Sequence, residues 1–232
     1  MIKPFLALLA VSFSLSVGAQ DYPNRPVKMV IPFAPGSATD ILGRVIAKEL
    51  SDKFGQPVVV ETKPGAGTAV AAGYVTNSAP DGYTLLLGTN ATFAVNPILY
   101  KKLPYDAMKD FAPITMVSWV PLVVVANPGL GVSTVPELIA KAKASPGGLS
   151  YGVSGIGTAG HLAMELFKSN AGIDIKPINY KGDTPALADT IAGHVHVMMA
   201  TVVAAAPHIA TGKLDLGDVR LGDSIAVSGV CL

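Results

Sequence analysis

The stretch IPFAPGSATD, residues 31–40, predicts the unit that the rest of the chain repeats. An apolar run, Val27–Phe33, predicts a strand that stops before a Pro-Gly pair, and a helical pattern follows over Ala38–Phe54. Ser37 stands three residues before Asp40, which is the spacing of a capping box and stabilises a helix start by about 1 kcal/mol. One interpretation is a capped helix. The other is a ligand site, because a helix N-terminus presents N–H groups and partial positive charge to an anion.

The order of strand, loop and helix recurs along the chain and predicts an α/β fold. Most of the strand candidates are continuous apolar runs, which is typical of parallel sheets covered on both faces. The last helix is tolerated only if Pro207 falls in its first turn. The predicted strands are Val27–Phe33, Pro57–Glu61, Tyr83–Leu87, Leu122–Ala126, Leu149–Val153 and Val195–Met199, and the predicted helices are Ala38–Phe54, Thr68–Thr76, Val135–Ala144, Thr158–Asn170, Thr184–Ala192 and Ala204–Thr211.

Two sets of these units are separated by NPILYKKLPYDAMKDFAPI, residues 96–114. Its Pro, aromatic and charged residues indicate a crossover segment rather than a core element. We expect a signal peptide over 1–19, a first α/β domain over 20–120, a second over 121–214 and an atypical tail over 215–232.

The N-terminus has the pattern of a secretory signal peptide. Residues 1–20 carry one charge, Lys3, before an apolar core, and small residues lead up to Ala19. We expect cleavage after Ala19 and a periplasmic location, the alternative being an uncleaved anchor helix. The one cysteine of the chain, Cys231, excludes an internal disulfide.

Composition restricts the function. Of the 232 residues, 50% are hydrophobic and 14% are charged, which is ample for buried cores. The formal net charge is +1 without a block of like charges, so nucleic acid and acidic lipid surfaces are poor partners.

The loop Gly155-Ile156-Gly157-Thr158-Ala159-Gly160 matches the G-x-G-x-x-G dinucleotide pattern, but it lies deep in the chain of a protein predicted to be secreted. We favour a second helix N-terminus that binds an anion, with Ser154, Thr158 and His161 nearby. The N-terminal end of a helix, with its free N–H groups, is called its mouth below. His161 falls in the first helical turn, where positive charge is disfavoured, so we expect it to be neutral. A core or capping role for this histidine is the alternative.

Three more loops offer polar groups before helices or after strands. KPGAGTAVAAG, residues 63–73, indicates close helix packing more than ligand contact. GTNATF, residues 88–93, follows a strand whose carboxyl end is where open α/β sheets hold ligands, and a structural turn is the alternative. INYKGDTPA, residues 178–186, precedes a helix capped by Asp183 or Thr184, and Lys181 there is either a ligand contact or a surface charge.

No catalytic set emerges from the sequence. It lacks a G-x-S-x-G elbow, an H-E-x-x-H motif and a Cys/His cluster, and His194 with His196 is a weak metal signal. We therefore expect a non-catalytic protein without cofactor or metal. The alternative is a secreted α/β enzyme with Asp40, His161 and Lys181 as its polar centre.

Several stretches together resemble the tripartite tricarboxylate transporter substrate-binding proteins, also called Bug-type solute receptors. They run in order from about Asp21 to Leu214, and they are YPNRPVKMVIPFAPGSATD, QPVVVETKPGAG, APDGYTLLLGTNAT, NPILYKKLPYDAMKDFAPIT, GIGTAGHLAMELFK and INYKG. The resemblance implies a type II-like periplasmic binding protein, in which two α/β domains close around a ligand cleft. It further implies a monomer that captures a small carboxylate (a di- or tricarboxylate, an amino acid or an aromatic acid) for the membrane components of a tripartite transporter.

In such receptors the carboxylate is held by backbone N–H groups, hydroxyls and ordered water rather than by Arg. Carried over motif by motif, the ligand-binding residues implied here are Phe33, Gly36, Ser37, Thr39, Asp40, Thr89, Asn90, Thr92, Ser154, Gly157, Thr158, His161, Tyr180, Lys181 and Gly182.

Two features depart from the family pattern. Ala200-Thr201 stand where the family has a polar pair resembling Asp-Asn, which implies one lost polar contact. After GKL, residues 212–214, the sequence resembles no family continuation. We therefore expect a C-terminally truncated or frameshifted receptor whose first domain is incomplete and exposes an apolar edge and face. A non-functional fragment of the receptor is the further alternative.

Overall fold

The structure is a computed structural model that describes residues 22–216. The predicted signal peptide, the tail beyond residue 216 and Cys231 lie outside the described residues.

The first sheet contains three parallel strands, β1 (Val27–Ile31), β2 (Val58–Thr62) and β3 (Thr84–Leu86), in the order β2-β1-β3. The central position of β1 explains its apolar run, because four of its five side chains are buried between the flanking helices. The predicted strand ran two residues too far, since Pro32 and Phe33 already belong to the loop before the first helix.

Three helices accompany this sheet: α1 (Ala38–Phe54), α2 (Ala69–Thr76) and the short α3 (Asn96–Leu99). The limits of α1 were predicted correctly because both of its ends are determined locally. Ser37 caps its start, and Gly55, in the left-handed region with φ 63°, donates its N–H to the Ser51 carbonyl. A 3₁₀ turn over Ala66–Thr68 precedes α2, and a π-helical turn over Ala91–Val95 precedes α3.

The second sheet has five strands in the order β6-β5-β7-β4-β8. Its strands are β4 (Leu122–Ala126), β5 (Leu149–Val153), β6 (Ile175–Asn179), β7 (Val197–Thr201) and β8 (Asp215–Leu216), and its helices are α4 (Val135–Ala144), α5 (Ala159–Ala171), α6 (Asp183–Ala192) and α7 (Val202–Ala210), with a 3₁₀ turn over Pro128–Leu130. The sheet is mixed rather than parallel, because β4 runs antiparallel to both β7 and β8. No helical crossover leads into β4. The rule that crossover connections join parallel strands therefore does not determine the direction of β4.

Apolar clusters cover both faces of this sheet. On one face Tyr151, Met164 and Ile175 are among the largest fully buried side chains, and Leu187 with Met198 fills the other. Burial on both sides explains why β4 is a continuous apolar run, and both β4 and β5 were predicted with their correct limits.

Two strands were not predicted, and one was placed wrongly. β6 lies at the edge of the sheet with four exposed side chains and contains Pro177, both of which weaken the strand signal. β8 has two residues. The predicted strand over Val195–Met199 is instead β7, two residues further along.

The prediction that Pro207 must lie in a first helical turn was wrong. Pro207 is the sixth residue of α7, within the helix. Its missing N–H would have reached the carbonyl of Val203, and Val203 is exposed, so that water can replace the lost partner.

Residues 96–114 begin with α3 and continue without further helix or strand, but they are not only a crossover. Tyr105 is buried in a small cluster with Ala69 and Ala72 of α2, which makes this part of the segment a core element. Beyond it, Ile114 and Trp119 are exposed by 80% and 76%. Exposed apolar side chains thus occur on this irregular segment and on the outer strand β2, where Val59 is exposed.

Within residues 22–216, no helix combines the length and the apolar character that a membrane span needs.

Candidate functional site

The loops that precede α1, α5 and α6 meet one another. Ala34 N–H donates to the Lys181 carbonyl at 3.0 Å, and the Thr184 hydroxyl donates to the Pro35 carbonyl at 3.1 Å. We call this meeting of loops 32–37, 154–158 and 180–182 the junction. The chain thus brings residues about 150 positions apart into direct contact.

Glycine is needed where the loops approach most closely. A Cβ atom on Gly182, whose φ is 141°, would lie 3.1 Å from Ala34 N and 3.6 Å from the Phe33 Cβ. A Cβ on Gly155 would lie 3.9 Å from the Phe33 ring. Phe33 therefore lies between the loops before α5 and α6, at the centre of the junction.

At the mouth of α1 the predicted cap is confirmed, with one change. The Ser37 hydroxyl accepts from Asp40 N–H at 3.3 Å, but the Asp40 carboxylate returns to the N–H of Gly36, at 2.9 Å, instead of to that of Ser37. The same oxygen, Oδ2, accepts from Arg44 Nε at 3.0 Å. The other oxygen, Oδ1, is buried and has no hydrogen-bond partner among the described residues. Thr39 is half-buried on the first turn.

The mouth of α5 is built in the same way. Thr158 caps the helix by accepting from His161 N–H at 3.4 Å, and its hydroxyl donates to the Gly155 carbonyl at 2.8 Å. Gly157 N–H donates to His161 Nδ1 at 3.1 Å, which requires that this ring nitrogen carry no proton. Burial lowers the pKa of His161, in agreement with the neutral imidazole that was predicted.

A second contact between the two sheets lies beside the first. A Cβ on Gly67 would lie 2.5 Å from the Ile156 carbonyl oxygen, and a Cβ on Gly157 would lie 2.9 Å from Val95 Cγ1. Asn96, fully buried, donates through Nδ2 to the Gly67 carbonyl at 2.8 Å, whereas its Oδ1 atom has no partner among the described residues. Asn96 was not among the predicted site residues, because nothing in its local sequence distinguishes it from a turn residue.

The loop after β3 holds three polar side chains that differ in burial. Thr92 is fully buried, shares a 2.8 Å hydrogen bond with the Thr68 hydroxyl, and accepts from Thr89 N–H at 3.3 Å. The Thr89 hydroxyl is buried without a partner among the described residues, while Asn90 is exposed. Thr92 thus positions the loop, and the Thr89 hydroxyl is the one left without a partner among the described residues.

In the loop before α6, Tyr180 and Lys181 are placed differently from one another. The Tyr180 hydroxyl donates to Asp189 Oδ2 at 2.6 Å, and burial together with this hydrogen bond raises the pKa of Tyr180 to about 12. Lys181 is exposed and contributes its backbone carbonyl to the junction.

Asp183 is a buried carboxylate that the sequence reading did not place in the site. The expectation that Asp183 or Thr184 caps α6 was wrong, since Gly182 occupies the cap position and Asp183 is the first helical residue. Asp183 is 6% exposed and accepts from the Thr201 hydroxyl at 2.6 Å. The backbone of Thr201 and the side chain of Ser154 are further polar neighbours that favour its ionised form. Burial raises the pKa of Asp183. In the sequence its position before a helix is typical of a cap, which concealed this environment.

Two glycines of the G-x-G-x-x-G stretch stand where other parts of the chain pack too closely for a side chain. A Cβ on Gly160 would lie 2.5 Å from the Met199 carbonyl oxygen, so this glycine lets α5 approach β7. Gly157 serves the contact with Val95 described above.

The histidines and the alternative enzyme centre show no catalytic or metal-binding arrangement within residues 22–216. His196 Nδ1 hydrogen-bonds Ser150, and His194 lies 3.3 Å from Asp189. No group of three or more metal-ligating side chains occurs there. In the same residues no hydrogen bond or ion pair joins any two members of the set Asp40, His161 and Lys181.

Two α/β units whose loops meet at polar helix N-termini are the arrangement of a two-lobed ligand-binding protein. Comparison with known proteins identifies the family to which it belongs. The family model for the tripartite tricarboxylate transporter family receptor matches residues 42–224, and the chain belongs to this family.

Individual relatives agree with this assignment. BugT of Bordetella pertussis is 42% identical over 92% of this chain and 65% of its own length. An adipate-bound protein of R. palustris superposes with a TM-score of 0.84 at 37% identity, covering 88% of this chain and 68% of that one. MatC from Rhodopseudomonas palustris, with bound malate, superposes with a TM-score of 0.80 at 29% identity, covering 87% and 69%.

These structures place the fold among type II-like periplasmic binding proteins. The chain spans about two thirds of the length of the relatives that it matches.

Proposed function

We propose that this protein is a periplasmic receptor that captures a small carboxylate and delivers it, chemically unchanged, to the membrane components of a tripartite transporter. The observation that carries the proposal is the convergence of the mouths of α1, α5 and α6 at the junction. Each mouth presents first-turn N–H groups that have no acceptor within their own helix. Together with the helix dipoles, these groups suit an anion without a fixed cationic side chain.

The ligands in the relatives' structures support the same class of ligand. Adipate and malate are small dicarboxylates, bound to proteins of this fold that are 37% and 29% identical to this chain. We infer that the receptor works as a monomer, without cofactor or metal, and that the signal peptide directs it to the periplasm.

Within this proposal the ligand contacts are the backbone of loops 33–37 and 154–158 with nearby hydroxyls and amides. Ser37, Thr92 and Thr158 hold the loops in shape, since their hydroxyls already bond within the protein. The remaining members of the proposed site are Phe33, Gly36, Thr39, Asp40, Thr89, Asn90, Ser154, Gly157, His161, Tyr180, Lys181 and Gly182.

We further propose that residues 20–120 and 121–214 are the two domains of the receptor, which close on the ligand. The junction contacts, including the bond between Ala34 and Lys181, would form on closure and break on release. Binding energy would then be spent partly on bringing the two lobes together.

The proposal is tested with the purified chain and a panel of small carboxylates that includes adipate, malate, citrate, glutamate and benzoate. A ligand at a hundred times its Kd stabilises the folded state by about 2.7 kcal/mol, which appears as a rise in Tm. Mass spectrometry of the released ligand checks that it is unchanged. A panel without any shift, or a ligand that is chemically converted, would overturn the proposal.

A matched pair of cap variants locates the site. Thr158→Ala and Thr134→Ala each remove a helix cap and should each lower the free energy of unfolding by about 1 kcal/mol. Thr134 caps α4, outside the junction, so only Thr158→Ala should also weaken ligand binding. Equal affinity in the two variants would place the ligand elsewhere.

A further inference from the structure

The buried carboxylates of residues 22–216 differ in their partners. Asp40 and Asp183 are both almost fully buried, at 2% and 6% exposure. Asp40 forms an ion pair with Arg44 at 3.0 Å, whereas none of the ion pairs in this part of the chain includes Asp183. A buried negative charge without a cation is costly, and such groups concentrate at functional sites.

The surroundings of Asp183 consist of neutral donors. The Thr201 hydroxyl donates at 2.6 Å, and the Thr201 backbone and the Ser154 side chain are further polar neighbours of the carboxylate. An ionised carboxylate has about four acceptor positions, so these neighbours leave room for a further donor. These donors favour the ionised form, but burial outweighs them and raises the pKa of Asp183.

Asp183 lies at the junction. Its chain neighbours are Gly182, which contacts Ala34, and Thr184, which donates to Pro35. Its partner Ser154 begins the loop that leads to the mouth of α5, where Ser154 lies 3.4 Å from the Thr158 hydroxyl. The carboxylate therefore stands beside the groups that would receive the anionic end of a ligand.

Two further acceptor atoms close to the junction have no hydrogen-bond donor. Asp40 Oδ1 and Asn96 Oδ1 are both buried acceptors without a partner among the described residues. The Asn96 atom lies 3.6 Å from the Cβ position of Gly157, next to the loop that leads into α5. A ligand that carries only carboxylates brings no donor to these oxygens, whereas an ammonium group brings three.

We propose that Asp183 is a specificity-determining residue that pairs with the ammonium group of the ligand, so that the preferred ligand is an aminocarboxylate. This inference rests on the proposed receptor function and narrows its ligand class. The helix mouths hold the carboxylate end, and Asp183 holds the cationic end. A second carboxylate of a plain dicarboxylate would instead meet a like charge.

The test compares pairs of ligands that differ in one amino group. Isothermal titration calorimetry of the full chain measures aspartate against succinate and glutamate against glutarate. We expect the amino acid of at least one pair to bind about 30-fold or more tighter, the scale of a buried hydrogen-bonded charge pair. Asp183→Asn keeps the size and the hydrogen bonds to Thr201, and should abolish this preference by weakening the amino acid and sparing the dicarboxylate.

A control and a second variant keep the result interpretable. Asp189→Asn changes a carboxylate on the same helix that bonds Tyr180, and should leave the preference intact. Asp183→Ser removes the charge if the asparagine variant fails to fold. Dicarboxylates that bind tighter than the amino acids, or a preference that survives loss of the Asp183 charge, would overturn this inference and leave the receptor function standing. If no member of either pair binds and the wider panel also fails, both proposals fall.

Discussion

Adding one methyl group at Gly157 should weaken ligand binding by obstructing closure. The Cβ of Gly157→Ala would lie 2.9 Å from Cγ1 of Val95, which belongs to the other lobe. Val95 is β-branched and has little rotamer freedom with which to move away. Overpacking of this kind costs about 1–3 kcal/mol. Under the proposed closure this contact forms only when the lobes come together, so the cost should appear as a Kd that is roughly 5- to 150-fold weaker.

The backbone cost of the substitution must be separated from this effect. Gly157 has φ 80°, where a side chain costs about 1–2 kcal/mol whether the lobes are open or closed. Gly172 at the end of α5 has φ 62° and open space around its Cβ position, so Gly172→Ala carries the backbone cost alone. Both variants should lower the free energy of unfolding, but only Gly157→Ala should raise Kd.

The assay is calorimetric titration with the tightest carboxylate of the panel, with urea unfolding measured in parallel. Val95→Ala, combined with Gly157→Ala, removes the obstructing methyl groups and should restore most of the affinity. An unchanged Kd in Gly157→Ala, or no recovery in the double variant, would refute the role of this contact in closure.

Three further predictions concern stability. Burial raises the pKa of Asp183 above its ordinary 3.8, so the folded state binds this proton more tightly and loses stability as the pH rises from about 4 through the raised pKa. Asp183→Asn should therefore gain stability relative to wild type between pH 3 and pH 8 in urea titrations, and a difference that does not change with pH would contradict this. Gly160→Ala places a Cβ 2.5 Å from the Met199 carbonyl oxygen and should destabilise the protein by about 1–3 kcal/mol, seen as a lower Tm. Trp119→Ser removes a side chain that is 76% exposed and should change the free energy of unfolding by no more than about 0.5 kcal/mol, whereas a larger loss would mean that Trp119 packs against something in solution.

The sequence by itself determined the elements whose limits depend on neighbouring residues. Helix α1 was predicted with both ends correct, because Ser37 and Gly55 set its start and its stop within one turn. Helix α4 was also predicted in full, since Thr134 and Glu137 form a capping box across three residues. A buried strand such as β4 carries its own signal as well, because apolar side chains are needed on both of its faces.

Tertiary structure alone decided the strand order, the edge strands β6 and β8, and the contents of the site. The carboxylate of Asp183 becomes a buried charge only because β7 brings Thr201, eighteen residues away, to within 2.6 Å. Gly157 becomes a contact between the two α/β units only because the loop before α5 faces Val95. Caps and turns follow from backbone preferences over a few residues, which the sequence displays directly. Desolvation and steric contact depend instead on which distant segments become neighbours, and that is settled by the packing of the whole chain.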